Sequence, residues 1–364
     1  MVSYALYPAI VVLGARLRTR TQAVVDQGPW PALTVAIAAH NEEATITRCV
    51  TALLDQSYPG PPVRILVGLD GCTDGTAAVL EAIKDPRLRV MDLPRMGKAT
   101  TDNRLVESAD TELVVTTSAG SEFATGSLER LVAPLRDLRV GCASGVFLPR
   151  PDGSGASEGE GLYWRVEYAL MMAESRLGIL AVASGTALAF RRSLFRPIPA
   201  NSDADVTIAP TVLTNGGLVV HVDDAVVFDD GPGSLRATLR NRRRMALRAL
   251  PATIAMVPRL VRAGHPMAAL GLVNHKVFRW LTPLAAVLWL ASAGALVLGG
   301  NQPYSVLTAA LVLAGAATAG LVFATSRAGG RAMVSLAVAQ VAFTLAVFDA
   351  VRGRRATTWN RDAG

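Results

Sequence analysis

The sequence predicts an α/β domain with a largely parallel sheet covered by helices on both faces, followed by membrane-spanning helices. From Leu33 to Leu148, short β-rich runs alternate with helical patterns. After Leu281 three long stretches are almost free of charge. A chain of 364 residues holds one α/β domain of ordinary size plus such an addition.

In chain order, the apolar run from Tyr4 to Gly14 is short for a span and is followed by Arg16, Arg18 and Arg20. No basic segment precedes it and no small-residue cleavage site follows, which predicts an uncleaved anchor with a basic linker over residues 1–30. Leu33 to Ala39 reads as the first strand and ends in His40-Asn41-Glu42-Glu43. A helix then runs from Glu43 to Gln56, with Ile46, Val50, Leu53 and Leu54 on one face, until Tyr58-Pro59-Gly60-Pro61-Pro62 stops it. Val63 to Leu69 delivers Asp70 into the turn Gly71-Cys72-Thr73-Asp74-Gly75-Thr76, where Asp74 and Thr76 are placed to cap the next helix. A strand that carries a carboxylate into a Gly turn builds a polar crevice at the carboxyl edge of a sheet, where ligands sit.

Strands at Leu88 to Leu93 and Glu112 to Thr117, a helix from Ser127 to Leu135 and a strand from Val140 to Val146 continue the alternation. Pro149 to Gly161, rich in Gly, Ser and acidic residues, reads as an exposed loop bordering the crevice, and a long helix follows to Leu177. The small-residue loop Ala183-Ser184-Gly185-Thr186 leads into a strand, and a helical run follows Asn201-Ser202-Asp203-Ala204-Asp205. Leu281 to Leu298, Tyr304 to Ala324 and Met333 to Val351 each approach the roughly 30 Å of a bilayer core. Trp280 suits the interfacial belt ahead of them.

The formal charge of +7 is uneven, with arginines crowded between Arg236 and Arg262 and at the flanks of the apolar stretches. That pattern fits a cytoplasmic surface held against anionic membrane lipids; without interleaved aromatic residues it gives no sign of nucleic-acid binding. Cys49, Cys72 and Cys142 have neither metal-ligand nor disulfide spacing and imply a reducing compartment.

Three stretches, His40-Asn41-Glu42-Glu43, Asp70 to Thr76 and Pro94-Arg95-Met96-Gly97-Lys98-Ala99-Thr100, resemble in order and spacing the nucleotide-sugar half of family 2 inverting glycosyltransferases. These have the GT-A fold, a mixed sheet flanked by helices, and the likeness is to membrane-anchored, processive-synthase-like members. Ala183 to Arg192 resembles the family's acceptor-side segment. The resemblance implies that Asp70 meets the base edge, that Asn41 and Glu42 frame the ribose, and that Lys98 faces a phosphate. It places the catalytic base on Asp205, with Asp203 as the alternative register, and a diphosphate clamp on Arg244 in Asn241-Arg242-Arg243-Arg244-Met245, or on Arg240 and Arg243 in the other frame. Read without the family, Asp70 makes an Asx-turn, Glu42 caps a helix, Asp203 and Asp205 form an N-cap cluster, and the arginines meet lipid headgroups.

One element departs from the family. Where an Asp-x-Asp pair would hold the Mg or Mn ion of the donor diphosphate, this chain has Ser118 and Gly120, with Glu122 two residues on as a displaced ligand. Three explanations follow: cationic side chains replace the metal, Glu122 supplies a ligand, or transfer chemistry is lost. The expected activity is sugar transfer from a nucleotide-sugar to a lipid-linked or polysaccharide acceptor at the cytoplasmic face. The alternative is a non-catalytic relative that serves a partner glycosyltransferase as scaffold. A transporter is disfavoured, since Gln340 and Asp349 are nearly the only polar groups in the spans. The expected organisation is a GT-A domain over 31–233, basic interfacial helices over 234–280, transmembrane helices over 281–352 and a basic tail over 353–364. A third full crossing would put Arg352, Arg354 and Arg355 outside, against the positive-inside tendency, so either Met333 to Val351 is re-entrant or interfacial or the tendency fails there.

Overall fold

Every residue of Leu33–Ala39 is buried, which is why this run reads as continuous apolar text: it is a central strand of the sheet, flanked on both sides. The computed structural model describes residues 6–17, 28–150, 155–230, 234–300, 302–325 and 327–354. Eight strands are present among them: β1 (Leu33–Ala39), β2 (Arg64–Asp70), β3 (Leu88–Leu93), β4 (Leu113–Ser118), β5 (Glu122–Phe123), β6 (Val140–Pro149), β7 (Leu188–Arg191) and β8 (Leu218–Asp229). Their order across the sheet is β3-β2-β1-β4-β7-β6-β8-β5.

The first half is parallel, with Ala38 level with Gly68 on one side and Ser118 on the other. The second half is mixed, as the likeness to the GT-A fold implied, while the main strands between Leu33 and Leu148 run in one direction. β7 is antiparallel to both β4 and β6, β8 is parallel to β6, and β5 is antiparallel to β8. Two reversals restore direction, so β1, β2, β4, β6 and β8 all end at one edge, and Ala39, Asp70, Ser118, Pro149 and Asp229 lie along it.

The helices are α1 (Tyr7–Leu17), α2 (Ile46–Leu54), α3 (Thr76–Glu81), α4 (Lys98–Ser108), α5 (Ser127–Val132), α6 (Gly155–Leu177), α7 (Ala204–Thr214), α8 (Leu235–Arg262), α9 (Pro266–Leu272), α10 (Phe278–Leu298), α11 (Gln302–Thr325) and α12 (Arg327–Val351). Alternate residues of β1 serve two cores. Leu33, Val35 and Ile37 pack with Ile46 and Val50 of α2 and Leu128 of α5. Ala36 and Ala38 face Leu105 of α4, Met171 of α6, Ile208 of α7 and Met256 of α8.

α6 begins at Gly155, so the loop expected to reach Gly161 is mostly helical, and residues 151–154 lie outside the described ones. The boundary expected at Gly233 and the arginines at 18, 20 and 355 also lie outside them. α1 rests on α6 through Tyr7, Val11 and Ala15, leaving Leu6, Ile10, Leu13 and Leu17 exposed. The Tyr7 hydroxyl donates to Glu174 Oε1 at 2.6 Å, and His275 lies between Glu174 and Glu167, which also pairs with Arg279. Mutual pairing makes such buried charges tolerable, and here it ties the first helix to the α9–α10 junction.

Two helical stretches are long and apolar enough to cross a membrane by length and composition, Pro266–Leu298 and Met333–Val351. The third expected span, in α11, meets that description among the described residues only as the shorter apolar helix Pro303–Leu313. α12 does not stand apart. Its Phe343, Ala346 and Val347 pack with Ala246, Ala249 and Leu250 of α8, and its Asp349 takes Arg243 Nε at 2.7 Å and Arg354 at 3.2 Å.

Candidate active site

Two loops leaving the adjacent strands β1 and β2 are laced together at the carboxyl edge. Asn41 adopts a left-handed backbone, φ 54°, and its Oδ1 accepts the Thr73 N–H at 2.8 Å. The Glu42 N–H donates to the Thr76 hydroxyl at 2.8 Å, and the buried Glu42 carboxylate accepts from Thr45 at 2.6 Å. Glu43 in turn takes the Gly75 N–H at 3.0 Å, which draws residue 43 out of the helix and moves its start to Ile46.

Asp70 is fully buried beneath this frame. Its Oδ1 accepts the N–H groups of Met96 at 2.6 Å and Gly97 at 3.0 Å, and its Oδ2 pairs with Arg95. Gly97 allows this turn with φ 86°. Asp70 therefore folds the 95–97 loop onto the end of β2 and stands one layer below the crevice. A direct bond to a nucleobase would compete with the bonds already in place. Lys98 opens α4, but its Nζ is held by Asp102 at 3.0 Å rather than turned to open space. Burial raises the Asp102 carboxyl above its ordinary range, against the pull of Lys98.

A second group of candidate residues lies where the 183–187 loop crosses the start of α7. The Thr117 hydroxyl donates to the Thr186 carbonyl at 2.7 Å, and the Ala183 N–H donates to the Asp205 carbonyl at 3.2 Å, so this loop joins the end of β4 to α7. Asp203 occupies the N-cap position of α7, yet its side chain makes no capping bond. Instead its Oδ1 accepts from Arg248 Nε at 2.9 Å, while Arg248 Nη2 donates to the Ser202 carbonyl at 2.6 Å. Asp205, in the first turn, has its carboxyl pushed up to about 6 by burial and by the neighbouring charge of Asp203, with Lys276 opposing. A carboxylate tuned into this range is suited to proton abstraction near neutrality.

The structure thus brings Asp203 and Asp205 together, with Asp102, Arg248 and Lys276 around them. The last three escaped the sequence reading. Arg248 lies one helical turn beyond Arg244, in a run of arginines where nothing in the text marks the one that turns inward; only its burial does. Arg243 is directed to Asp349, Arg244 Nη2 donates to Asn241 Oδ1 at 3.4 Å, and Arg240 is exposed on α8.

Ser118 and Gly120 stand at the end of β4, in the turn before β5. This donor set does not fit a divalent cation: a hydroxyl and a glycine bring no carboxylate, and no group of three His, Cys, Asp or Glu among the described residues is arranged to hold one. Glu122 is engaged by Arg150 at 2.6 Å, with Arg48 at 3.7 Å.

Residues 34–198 match the model of the family described as Glycosyl transferase family 2. They form a family 2 glycosyltransferase domain. Such a glycosyltransferase moves a sugar from a nucleotide-sugar donor. The chain is 27% identical over 286 residues to an N-acetylglucosaminyltransferase of Rhizobium meliloti (strain 1021), covering 73% of this chain and 67% of the relative. It is 23% identical over 263 residues to an N-acetylglucosaminyltransferase of Sinorhizobium fredii (strain NBRC 101917 / NGR234), covering 67% of this chain and 63% of the relative. It therefore spans about two thirds of these relatives' length or slightly less. Among solved structures, a mannosyltransferase from Pyrobaculum calidifontis in complex with GDP-Man and Mn2+ superposes with TM-score 0.70 at 22% identity, over 96% of each chain. That likeness is one of fold, and the fold is GT-A.

Proposed function

We propose that this glycosyltransferase is membrane-bound and transfers its sugar to a lipid-linked or polysaccharide acceptor, with the crevice on the cytoplasmic face. The observation that carries the reading is the pair Asp203 and Asp205 at the start of α7, where Arg248 Nε donates to Asp203 at 2.9 Å and burial lifts the Asp205 carboxyl to about 6 beside the 183–187 loop. In the proposed step the acceptor hydroxyl gives its proton to Asp205 and its oxygen attacks the anomeric carbon. The bond from that carbon to the diphosphate breaks, and the nucleoside diphosphate leaves with the electron pair. Membrane attachment is supported by the apolar lengths of Pro266–Leu298 and Met333–Val351, and by the exposed stripe Ile10, Leu13 and Leu17 of α1, continued by Leu6 just ahead of it. The packing of α12 along α8 favours an interfacial or re-entrant course for it over an independent crossing.

The names of the two relatives make N-acetylglucosamine the first sugar to try. The absence of carboxylates at Ser118 and Gly120 favours a second reading, a non-catalytic relative that partners an active glycosyltransferase. Detergent-purified protein supplied with a panel of UDP- and GDP-sugars, a lipid extract as acceptor, and either Mn2+ or a chelator separates the two. Release of nucleoside diphosphate coupled to labelled glycolipid or glycan supports the enzyme. Binding without turnover under every condition supports the partner.

A further inference from the structure

Beside the Ser118–Gly120 turn the carboxyl edge carries a closed ring of four charged side chains. Glu122 follows the turn directly. Arg150 follows the end of β6, whose Pro149 is level with Asp229 of β8. Arg150 Nη1 donates to Glu122 Oε2 at 2.6 Å and its Nε to Asp230 Oδ1 at 3.1 Å. Arg48, one turn into α2, donates from Nη2 to Asp230 Oδ2 at 2.7 Å and stands 3.7 Å from Glu122. The neighbouring Cys49 thiol reaches the Ser118 carbonyl at 3.5 Å, which anchors this turn of α2 to the end of β4. Asp229 lies alongside, accepting the Ser121 hydroxyl at 3.2 Å and the Asp230 N–H at 2.7 Å.

Two features of the ring point to an anion. A divalent cation held by two aspartates has no net formal charge and binds a diphosphate through its open positions. Taken by themselves, the two guanidiniums with Glu122 and Asp230 have the same net charge beside the Ser118–Gly120 turn, while Asp229 is turned to the Ser121 hydroxyl and the Asp230 N–H. Second, the ring has donors left over: Arg150 Nη2 has no hydrogen-bond acceptor, and Arg48 Nε has only the long 3.7 Å contact with Glu122. Unmet donors on a charged group are costly, and a multiply charged oxygen acceptor relieves that cost. The two side chains remain 39 and 28% exposed, so the ring is open to the crevice.

We propose that Arg48 and Arg150, held in place by Glu122 and Asp230, are the diphosphate-binding cations of this chain and do the work its missing aspartates would have given to a metal. Guanidinium suits the task, since its fixed fork matches phosphate oxygens and stays charged at any working pH. The proposal rests on the nucleotide-sugar reading of the crevice and adds which side chains neutralise the leaving group.

The test is calorimetric titration of the full chain in detergent with UDP and GDP, and with uridine and guanosine, each in excess EDTA and again with Mn2+. The wild type is expected to bind one of the diphosphates in EDTA. Arg48→Gln with Arg150→Gln should weaken it at least tenfold while leaving the matching nucleoside unchanged, and Arg48→Lys with Arg150→Lys should restore part of the loss. The nucleoside arm guards against a merely misfolded double variant, and each single Gln variant provides a milder form. Diphosphate binding that needs Mn2+, or that is unaltered by both Gln substitutions, overturns the proposal and leaves the glycosyltransferase reading standing. No binding of either diphosphate in any condition overturns both.

Discussion

The charge pair at the start of α7 makes a quantitative pH prediction. Asp205 is lifted from the usual 3.8 to about 6, first by burial and then by Asp203, with Lys276 pulling the other way. A lift of this size corresponds to about 3 kcal/mol of preference for the protonated form. Because the base must be ionised to accept a proton, kcat/KM for sugar transfer should fall as pH drops through about 6. Asp203→Asn removes the repelling charge and leaves Arg248 without its carboxylate, so the midpoint of the acid limb should move down by about one unit. Lys276→Gln removes the opposing cation and should move the same limb up. The assay is release of labelled nucleoside diphosphate from the preferred donor, followed across the acid limb for the wild type and both variants. Midpoints that stay together, or move in the same direction, refute the assignment of Asp205 as the titrating base.

Other outcomes follow from the buried polar groups. Asp70→Asn keeps the volume but turns a donor toward Met96, Gly97 or Arg95, and should lower stability by about 2–4 kcal/mol, read as a drop in Tm on thermal denaturation. An unaltered Tm would mean that Asp70 does not hold the 95–97 loop. His221 is buried, is stacked on Tyr168 at 5.4 Å, and has its pKa pushed down to about 4 by burial. Its folded pKa lies below the unfolded value, so its contribution is complete above about 6.5 and is lost as pH falls toward 4, amounting to about 3 kcal/mol. His221→Phe keeps the stack and removes the proton site, so Tm should be equal or higher at neutral pH and less sensitive to acid; a variant that melts lower at neutral pH and equally steeply in acid contradicts this. The tail is a topological probe: a single cysteine at Arg354 should be labelled from the cytoplasmic side only, and labelling from outside intact cells would exclude the interfacial course of α12.

The first half of the domain was legible because its strands are short and separated by Gly and Pro turns, and β1, β2 and β4 are buried almost throughout; β1 and β3 keep the bounds read from the text, although β3 is an edge strand with no buried residue. β8 was not. Asp223 and Asp224 interrupt its apolar pattern, and its pairing with β6 shifts register between Ser144 and Val146, so the alternation is broken on both strands. Candidate residues were legible where a motif fixed them locally, as at Asn41, Glu42, Asp70 and the pair Asp203 and Asp205. Their partners were not: Arg248 comes from a helix 45 residues downstream of Asp203, and the ring of Arg48, Glu122, Arg150 and Asp230 joins four segments that only the sheet topology brings together. The same topology brings Glu122, which the text offered as a displaced metal ligand, within 2.6 Å of Arg150.

The central claim, that Asp205 at the α7 start is the base of a working transferase, is tested most directly by comparing wild type and Asp205→Asn in a single-turnover transfer of labelled sugar from the preferred nucleotide-sugar to membrane lipid extract. The account predicts transfer by the wild type in the presence of chelator, and a rate about 100-fold or more lower for the variant, with donor affinity preserved. Equal rates in the two proteins, or no transfer by the wild type from any donor with or without Mn2+, would contradict it.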